Sequence, residues 1–292
     1  MSRSSRPGAR PTRGSADPVS TRCAVVGHPV AHSLSPAIHR AAYRALGLDW
    51  SYQAIDIAPG GLPEFVAGLD TSWRGLSVTM PHKADLVGLG TPDETVRRLG
   101  VANTWVRTPD GPLVANTDVE GLVLACRKHR VDAIDRVAVT GAGATARSAL
   151  AGAARLGAGR ATIVSRSLER SGQTLSLAVD LGMEVQWTPL DATLADRPTA
   201  ADLLVSTVPA AALETLAEAL VAGVRTVFDV VYDPWPTPLA QAGRARGCEV
   251  IDGLDLLAGQ AVGQVALMTG RQVPMEVLWA AAHQENLSRH RS

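Results

Sequence analysis

An α/β fold in two domains is what this sequence predicts, on three observations. Its 292 residues exceed the usual size of one domain. The composition is 46% hydrophobic but only 4% aromatic, so the interior must be built from Ala, Val and Leu, as in parallel sheets covered by helices. Finally, Val137 to Arg170 reads as one strand–turn–helix–strand unit: Val137-Ala138-Val139-Thr140 runs into Gly141-Ala142-Gly143-Ala144-Thr145-Ala146, which matches G-x-G-x-x-A. A helix from Thr145 to Leu156 ends at Gly157-Ala158-Gly159, and Ala161-Thr162-Ile163-Val164 is the second strand. This is a Rossmann-type dinucleotide cradle: Gly141 permits the tight turn, Gly143 lets backbone approach a pyrophosphate, and Ala146 lets the helix pack closely on the sheet.

Composition narrows the partners. Lys plus Arg and Asp plus Glu each total 28, for a formal net charge of 0, and no basic face argues for nucleic acid or an anionic membrane. Small-molecule partners are expected. Cys23, Cys126 and Cys248 are odd in number and form no C-x-x-C pair, so buried, reduced thiols are expected. No apolar run reaches membrane-span length and no signal-peptide core follows the N-terminal arginines, so a cytoplasmic location is expected.

Residues 1–20, rich in Ser, Arg, Pro and Gly, carry no hydrophobic period and are expected to be a disordered tail. Cys23 to Val26 is a strand, followed by a loop through Ser35 and a helix from Pro36 to Leu46. Ser35 fits an N-cap; Ser33 and Ser35 together also fit a seat for a carboxylate at a helix N-terminus, and spacing alone does not choose. Tyr52 to Ile57 is a strand and Pro63 to Leu69 a short helix. Gly75 to Thr79 is a third strand, stopped by Met80-Pro81, so that Lys83 emerges at a strand's carboxyl end, where open α/β sheets place ligands. A lone lysine there is ordinarily solvated surface. His32 and His82 lack partners at metal-ligand spacing, and no metal is expected.

A helix from Pro92 to Leu99 precedes Val101 to Val106, which pairs as a hairpin across Asp110-Gly111 with Leu113 to Ala115. Asn116-Thr117-Asp118 then opens a helix running from Val119 to Arg130, and on spacing alone Asp118 reads as its N-cap. After the cradle, Ser165-Arg166-Ser167-Leu168-Glu169-Arg170 replaces the acidic residue an NAD site usually carries with two guanidiniums and two hydroxyls, which suits a 2′-phosphate and hence NADP. Further strands at Glu184 to Trp187, Asp202 to Val205, Thr226 to Phe228 and Glu249 to Ile251 suit a six-stranded nucleotide domain. Strand order should reverse at the fourth of these six, which ends at Ser206-Thr207. The helices Leu254 to Thr269 and Pro274 to Asn286 have no following strand and are expected to return to the first domain.

Several ordered motifs resemble the shikimate dehydrogenase family over nearly the whole chain after the tail. They are Ser33-Leu34-Ser35, Ser77-Val78-Thr79-Met80-Pro81-His82-Lys83, Val101-Ala102-Asn103-Thr104, Asn116-Thr117-Asp118, the Gly141 to Thr145 and Ser165 to Arg170 segments, and a final D-x-x-Y-x-P-x-x-T-P-L and D-G-L-x-x-L-x-x-Q-A run holding Tyr232, Gly253 and Gln260. The resemblance implies NADPH-dependent reduction of 3-dehydroshikimate to shikimate, on the route through chorismate to aromatic amino acids. It implies that Ser33 and Ser35 hold the substrate carboxylate and that Thr79, Asn103, Asp118, Tyr232 and Gln260 contact the rest. Lys83 is the family's catalytic position, with Asp118 its expected partner. On the cofactor side it implies Gly141, Ala142, Gly143, Ala144, Thr145, Ser165, Arg166, Ser167, Arg170, Thr207, Val230 and Gly253, with Glu94 also near the cofactor.

The chain departs from the family pattern at Ser77 for Asn, Ala144 for a second Gly, and Asp255 for Gly, the last adding a carboxylate near the expected crevice. A quinate-using relative, or a non-catalytic NADP-sensing regulator, are the alternative readings; the joint presence of Lys83 and Asp118 favours the enzyme. The expected division is 21–118 plus 253–292 for the substrate domain and 119–252 for the nucleotide domain; the chain leaves open a homodimer.

Overall fold

The structure is a computed structural model that describes residues 21–197 and 199–291. The segment 1–20 lies outside the described residues. Among those described, the strands form two six-stranded sheets.

The first sheet is built from β1 (Arg22–Gly27), α1 (Ser35–Ala45), β2 (Ser51–Asp56), α2 (Leu62–Ala67), β3 (Trp73–Val78), β4 (Thr91–Pro92), α3 (Glu94–Leu99), β5 (Thr104–Thr108) and β6 (Gly111–Ala115). Its order is β2-β1-β3-β5-β6-β4. Strands β1, β2 and β3 are parallel, which requires crossovers, and α1 and α2 supply them. Strands β5 and β6 form the expected antiparallel hairpin, Thr104 facing Ala115 and Thr108 facing Gly111. This topology brings the ends of β3 and β6 to one edge of the sheet, so Lys83 and Asp118 start out as neighbours.

Helix α4 (Asp118–Lys128) leads into β7 (Arg136–Thr140), α5 (Ala144–Arg155), β8 (Arg160–Ser165), α6 (Gly172–Asp180), β9 (Glu184–Pro189), β10 (Ala201–Ser206), α7 (Ala217–Leu220), β11 (Val224–Asp229), α8 (Pro238–Ala245) and β12 (Glu249–Ile251). All pairs are parallel, in the order β12-β11-β10-β7-β8-β9. Winding outward from β7 in both directions is the doubly wound arrangement, and its switch point lies between β7 and β10. Val137, Ala138 and Val139 are almost wholly buried because helices cover both faces, which is why that strand is continuously apolar rather than alternating. Gly141 leaves β7 at φ +94°, and a Cβ there would sit 2.6 Å from Thr207 Oγ1 after β10. Only glycine fits that crevice.

Helices α9 (Gly253–Thr269) and α10 (Met275–Arg289) return to the first sheet. Leu254, Ala258, Ala261, Val265 and Met268 share a core with Val25, Ile38, Tyr43 and Tyr52. Helix α9 meets α4 at a glycine contact: a Cβ on Gly121 would lie 2.6 Å from the Gln260 amide nitrogen, and one on Gly259 would strike the Gly121 carbonyl. Backbones this close place Gln260 beside Asp118. Cys23 and Cys126 are buried free thiols as expected, but Cys248 is only half-buried, just before the short edge strand β12. Among the described residues no helix is long and apolar enough to cross a membrane.

Candidate active site

Lys83 leaves the turn after β3 with its backbone carbonyl held by the Ala102 amide (2.8 Å), and its Nζ donates to Asp118 Oδ2 at 2.6 Å. The two side chains are 14% and 3% exposed, so the ion pair is largely out of water. The cap expected of Asp118 is not made: Thr117 is the N-cap residue and offers no side-chain bond, while Asn116 Oδ1 accepts from the Asp118 amide (3.0 Å). Asp118 therefore opens α4 with its carboxylate free for Lys83, where the helix dipole also favours negative charge. Asn103 is wholly buried and ties the floor together. Its Nδ2 lies 2.9 Å from Asp118 Oδ1, 3.0 Å from Thr117 Oγ1 and 3.0 Å from Gln260 Oε1, and its Oδ1 accepts from the Thr117 amide (2.9 Å) and the Thr104 hydroxyl (2.8 Å). Asn103 thus fixes the carboxylate from behind while Lys83 holds it from the side.

A second polar layer was not foreseen from the sequence. Tyr52 donates to Ser77 Oγ (2.6 Å), Ser77 donates to Gln264 Oε1 (2.8 Å), and His39 Nε2 reaches the same oxygen (3.1 Å). Burial drives the His39 pKa down to about 4 despite the Gln264 contact, so the ring is neutral at physiological pH and donates through Nε2. Ser77 and Gln264 both line the cavity. The available signal for Gln264 was its position four residues beyond Gln260, on the same helical face.

At the other end, Ser35 is the first residue of α1, not its cap; Leu34 precedes it and the helix has no side-chain cap bond. Ser33 Oγ accepts from the Ser35 amide (3.3 Å), and both serines line the same cavity. Arg289 of α10 donates to the His32 and Ser33 carbonyls (2.8 and 3.2 Å) and anchors this loop from the C-terminal helix. Tyr232 approaches from the second sheet; burial raises its pKa, so it is a neutral phenol able to donate. Together these residues bound a cavity of about 280 Å³ whose lining joins Ser33, Ser35, Thr79, Lys83, Asp118 and Gln260 to Thr145, Val230, Tyr232 and Gly253. Gly253 has a backbone role: a Cβ would strike the Val230 carbonyl.

Beside that cavity lies the glycine turn. Gly143 is the extended N-cap of α5, exposed, with nothing within 4 Å of where a Cβ would stand, which leaves room for a phosphate to approach the amides of Ala144 and Thr145. Ala142 is braced from behind, its carbonyl accepting from Thr174 (2.8 Å), and the Thr207 hydroxyl is tied to the Thr140 carbonyl (2.6 Å). Pairing of β7 with β8 sets the Ser165 to Arg170 segment alongside. Arg166 and Arg170 are exposed, and among the described residues neither guanidinium has an ion-pair or hydrogen-bond partner. A dinucleotide carrying a 2′-phosphate fits this donor set.

Three expectations change. The Ser165 hydroxyl faces inward, to Ser171 Oγ (2.6 Å) and Trp187 Nε1 (2.9 Å), and does not join the arginines on the outer surface. Glu94 stands exposed in the first turn of α3, lining a separate recess with Arg98, Ala151 and Leu181. Asp255 is buried but faces away from the cleft, pairing with Lys128 Nζ (2.8 Å) and His129 Nε2 (2.9 Å) at the end of α4. It adds no charge to the cavity.

Residues 25–105 match the family described as the shikimate dehydrogenase substrate binding domain. A Synechocystis shikimate dehydrogenase (NADP(+)) is 35% identical over 266 residues, covering 87% of this chain and 92% of that protein. A Geobacter metallireducens enzyme of the same name is 36% identical, covering 87% and 93%. Among solved structures, the Mycobacterium tuberculosis shikimate dehydrogenase superposes with a TM-score of 0.84 at 38% identity, covering 90% of this chain and 99% of that one. The Thermus thermophilus enzyme in complex with NADP(H) and shikimate gives 0.78 at 30% identity, with the same coverage. With a likeness that spans both sheets and the returning helices, the chain belongs to the shikimate dehydrogenase family.

Proposed function

We propose that this protein reversibly reduces 3-dehydroshikimate to shikimate with NADPH, a step of chorismate and aromatic amino-acid biosynthesis. The observation that carries the reading is the buried Lys83–Asp118 pair on the floor of a cleft that also contains Thr145 of the glycine turn. Gly141 to Thr145, Arg166, Ser167 and Arg170 would hold NADPH, which would supply the hydride. The chain's own residues do the rest. Ser33 and Ser35 hold the carboxylate, and Thr79, Tyr232 and Gln260, which line the same cavity as Lys83 and Asp118, contact the rest of the substrate. The ammonium stabilises negative charge developing on the C3 oxygen and delivers a proton to it, while the Asp118 carboxylate, fixed by Asn103, keeps the ammonium aimed and accepts from a neighbouring hydroxyl.

In this reading residues 21–118 and 253–292 form the substrate-binding domain and 119–252 the NADP-binding domain. Supporting that division, Leu122, Val123, Ala125 and Cys126 of α4 pack into the core of the second sheet, whereas Ala258 to Met268 of α9 pack into that of the first. A cytoplasmic location agrees with the free thiols. The test is turnover of shikimate and quinate, each with NADP and with NAD. Shikimate with NADP is expected to have the highest kcat/KM. Equal turnover of quinate points to the broader paralogue, and ligand binding without turnover points to a sensor and overturns the enzyme reading.

A further inference from the structure

The turn that carries Arg166 and Arg170 is held from its inner side by a run of hydrogen bonds that begins on β9. Trp187 Nε1 lies 2.9 Å from Ser165 Oγ, Ser165 Oγ lies 2.6 Å from Ser171 Oγ, and Ser171 Oγ lies 2.8 Å from the Ser167 carbonyl. An indole N–H only donates and a carbonyl only accepts, so Ser165 Oγ receives the Trp187 hydrogen, and the two hydroxyls share the bond between them and the Ser167 carbonyl, which lies 3.2 Å from Ser165 Oγ and 2.8 Å from Ser171 Oγ. Ser165 and Ser171 are 6% and 0% exposed, which keeps water from substituting for any member of the run. The Ser165 hydrogen is committed within it and is not available to a ligand. Ser167 differs, because its hydroxyl accepts from the Arg170 amide (3.3 Å) and keeps its own hydrogen free. The segment therefore has a fixed inner side and an outer side bearing two cations and one hydroxyl donor.

We propose that Trp187 is a positioning residue for cofactor discrimination: through Ser165 and Ser171 it sets the turn so that Arg166, Ser167 and Arg170 converge on the 2′-phosphate that distinguishes NADP from NAD. This rests on the NADPH reading given above. The Trp187 ring packs against the core of the second sheet and does not line the cleft cavity. Arginine side chains lose much rotamer freedom when they close on a phosphate, and a backbone ordered in advance keeps the rest of the entropic cost small.

The test compares Trp187→Phe, which keeps an aromatic ring but removes the N–H, with Ser171→Ala and with the conservative Ser171→Thr. Each is titrated calorimetrically with 2′,5′-ADP and with AMP, probes that differ only in the 2′-phosphate. Trp187→Phe and Ser171→Ala should each raise the Kd of 2′,5′-ADP about tenfold, the scale of one net hydrogen bond, while AMP stays within about twofold. Ser171→Thr should match wild type with both probes. Equal weakening of both probes would mean a general loosening of the domain and overturn the proposal, as would unchanged 2′,5′-ADP affinity in both Trp187→Phe and Ser171→Ala. A wild-type protein with no preference for 2′,5′-ADP over AMP would instead bring down the NADPH reading itself, and the brace with it.

Discussion

Replacing Lys83 by alanine tests the chemistry and the fold at once, and the structure separates the two effects. At 2.6 Å and an effective dielectric of about 20, the Lys83–Asp118 attraction is about 6 kcal/mol before desolvation is counted. The net cost of removing one partner from a pair this buried is about 3–5 kcal/mol, because Asp118 is left with Asn103 alone. That is a large share of the about 5–15 kcal/mol that keeps a domain folded, so Lys83→Ala should show a clearly lowered Tm. Its kcat should fall about 10²-fold or more with little change in KM, since a proton donor to the transition state is lost while the carboxylate seat is untouched. The double variant Lys83→Met/Asp118→Asn removes both charges, keeps most of the volume and preserves an acceptor for Asn103. It should recover much of the Tm and none of the kcat. Thermal unfolding, followed by steady-state assays well below each variant's Tm, reads both quantities. A folded Lys83→Ala protein with near-normal kcat would refute the assignment.

Other expectations follow from the remaining contacts. Ser33→Ala/Ser35→Ala should raise KM for shikimate strongly and lower Tm only slightly, because the amide contact between the two is long, 3.3 Å from the Ser35 amide to Ser33 Oγ; a stability loss of about 1 kcal/mol, as for a missing cap, with normal KM would restore the structural role. Arg166→Asp should weaken NADPH binding by about 2 kcal/mol or more and shift preference toward NAD, measured as the ratio of kcat/KM for the two cofactors. His129 offers both ring nitrogens to carboxylates, Asp255 at 2.9 Å and Glu249 at 2.6 Å, with Lys128 beside them; the Asp255 bond foremost, against ring desolvation and with help from Glu249, raises its pKa. A raised folded-state pKa means that the stability it contributes is complete below about 6.5, its unfolded value, and disappears as pH rises through the folded one. The Tm gap between wild type and His129→Gln should therefore be wide at pH 6 and narrow at pH 9; a gap independent of pH would show that the charge does not matter.

Most of the architecture was legible because it rests on local signals. The G-x-G-x-x-A turn after an apolar strand, the Asp110-Gly111 hairpin and the spacing of later strands each follow from residues close together in sequence, and the structure contains all of them. Lys83, Asn103 and Asp118 were legible as motif members. What motifs do not encode is the direction in which a side chain points. Ser165 sits in the cofactor motif yet turns inward because Trp187, 22 residues later, presents an N–H to it. Asp255 stands near the crevice in sequence yet faces Lys128 and His129 across the end of α4. The Tyr52–Ser77–Gln264–His39 layer depends on contacts up to 225 residues apart, which only the return of α9 onto the first sheet creates.

The glycine contact between α4 and α9 also has a mechanical meaning. Gly121 and Gly259 bring two helix backbones together with no side chain between them, so at that point neither helix can slide inward or be wedged apart by a rotamer change. The two helices are therefore locked in register at this point, and α4 and α9 carry their polar residues at a fixed separation. Asp118 is one helical turn from Gly121 and Gln260 is next to Gly259. Adding a single methyl group at Gly121 or Gly259 would therefore force the helices apart, and with them the Asp118 and Gln260 that they carry to Asn103.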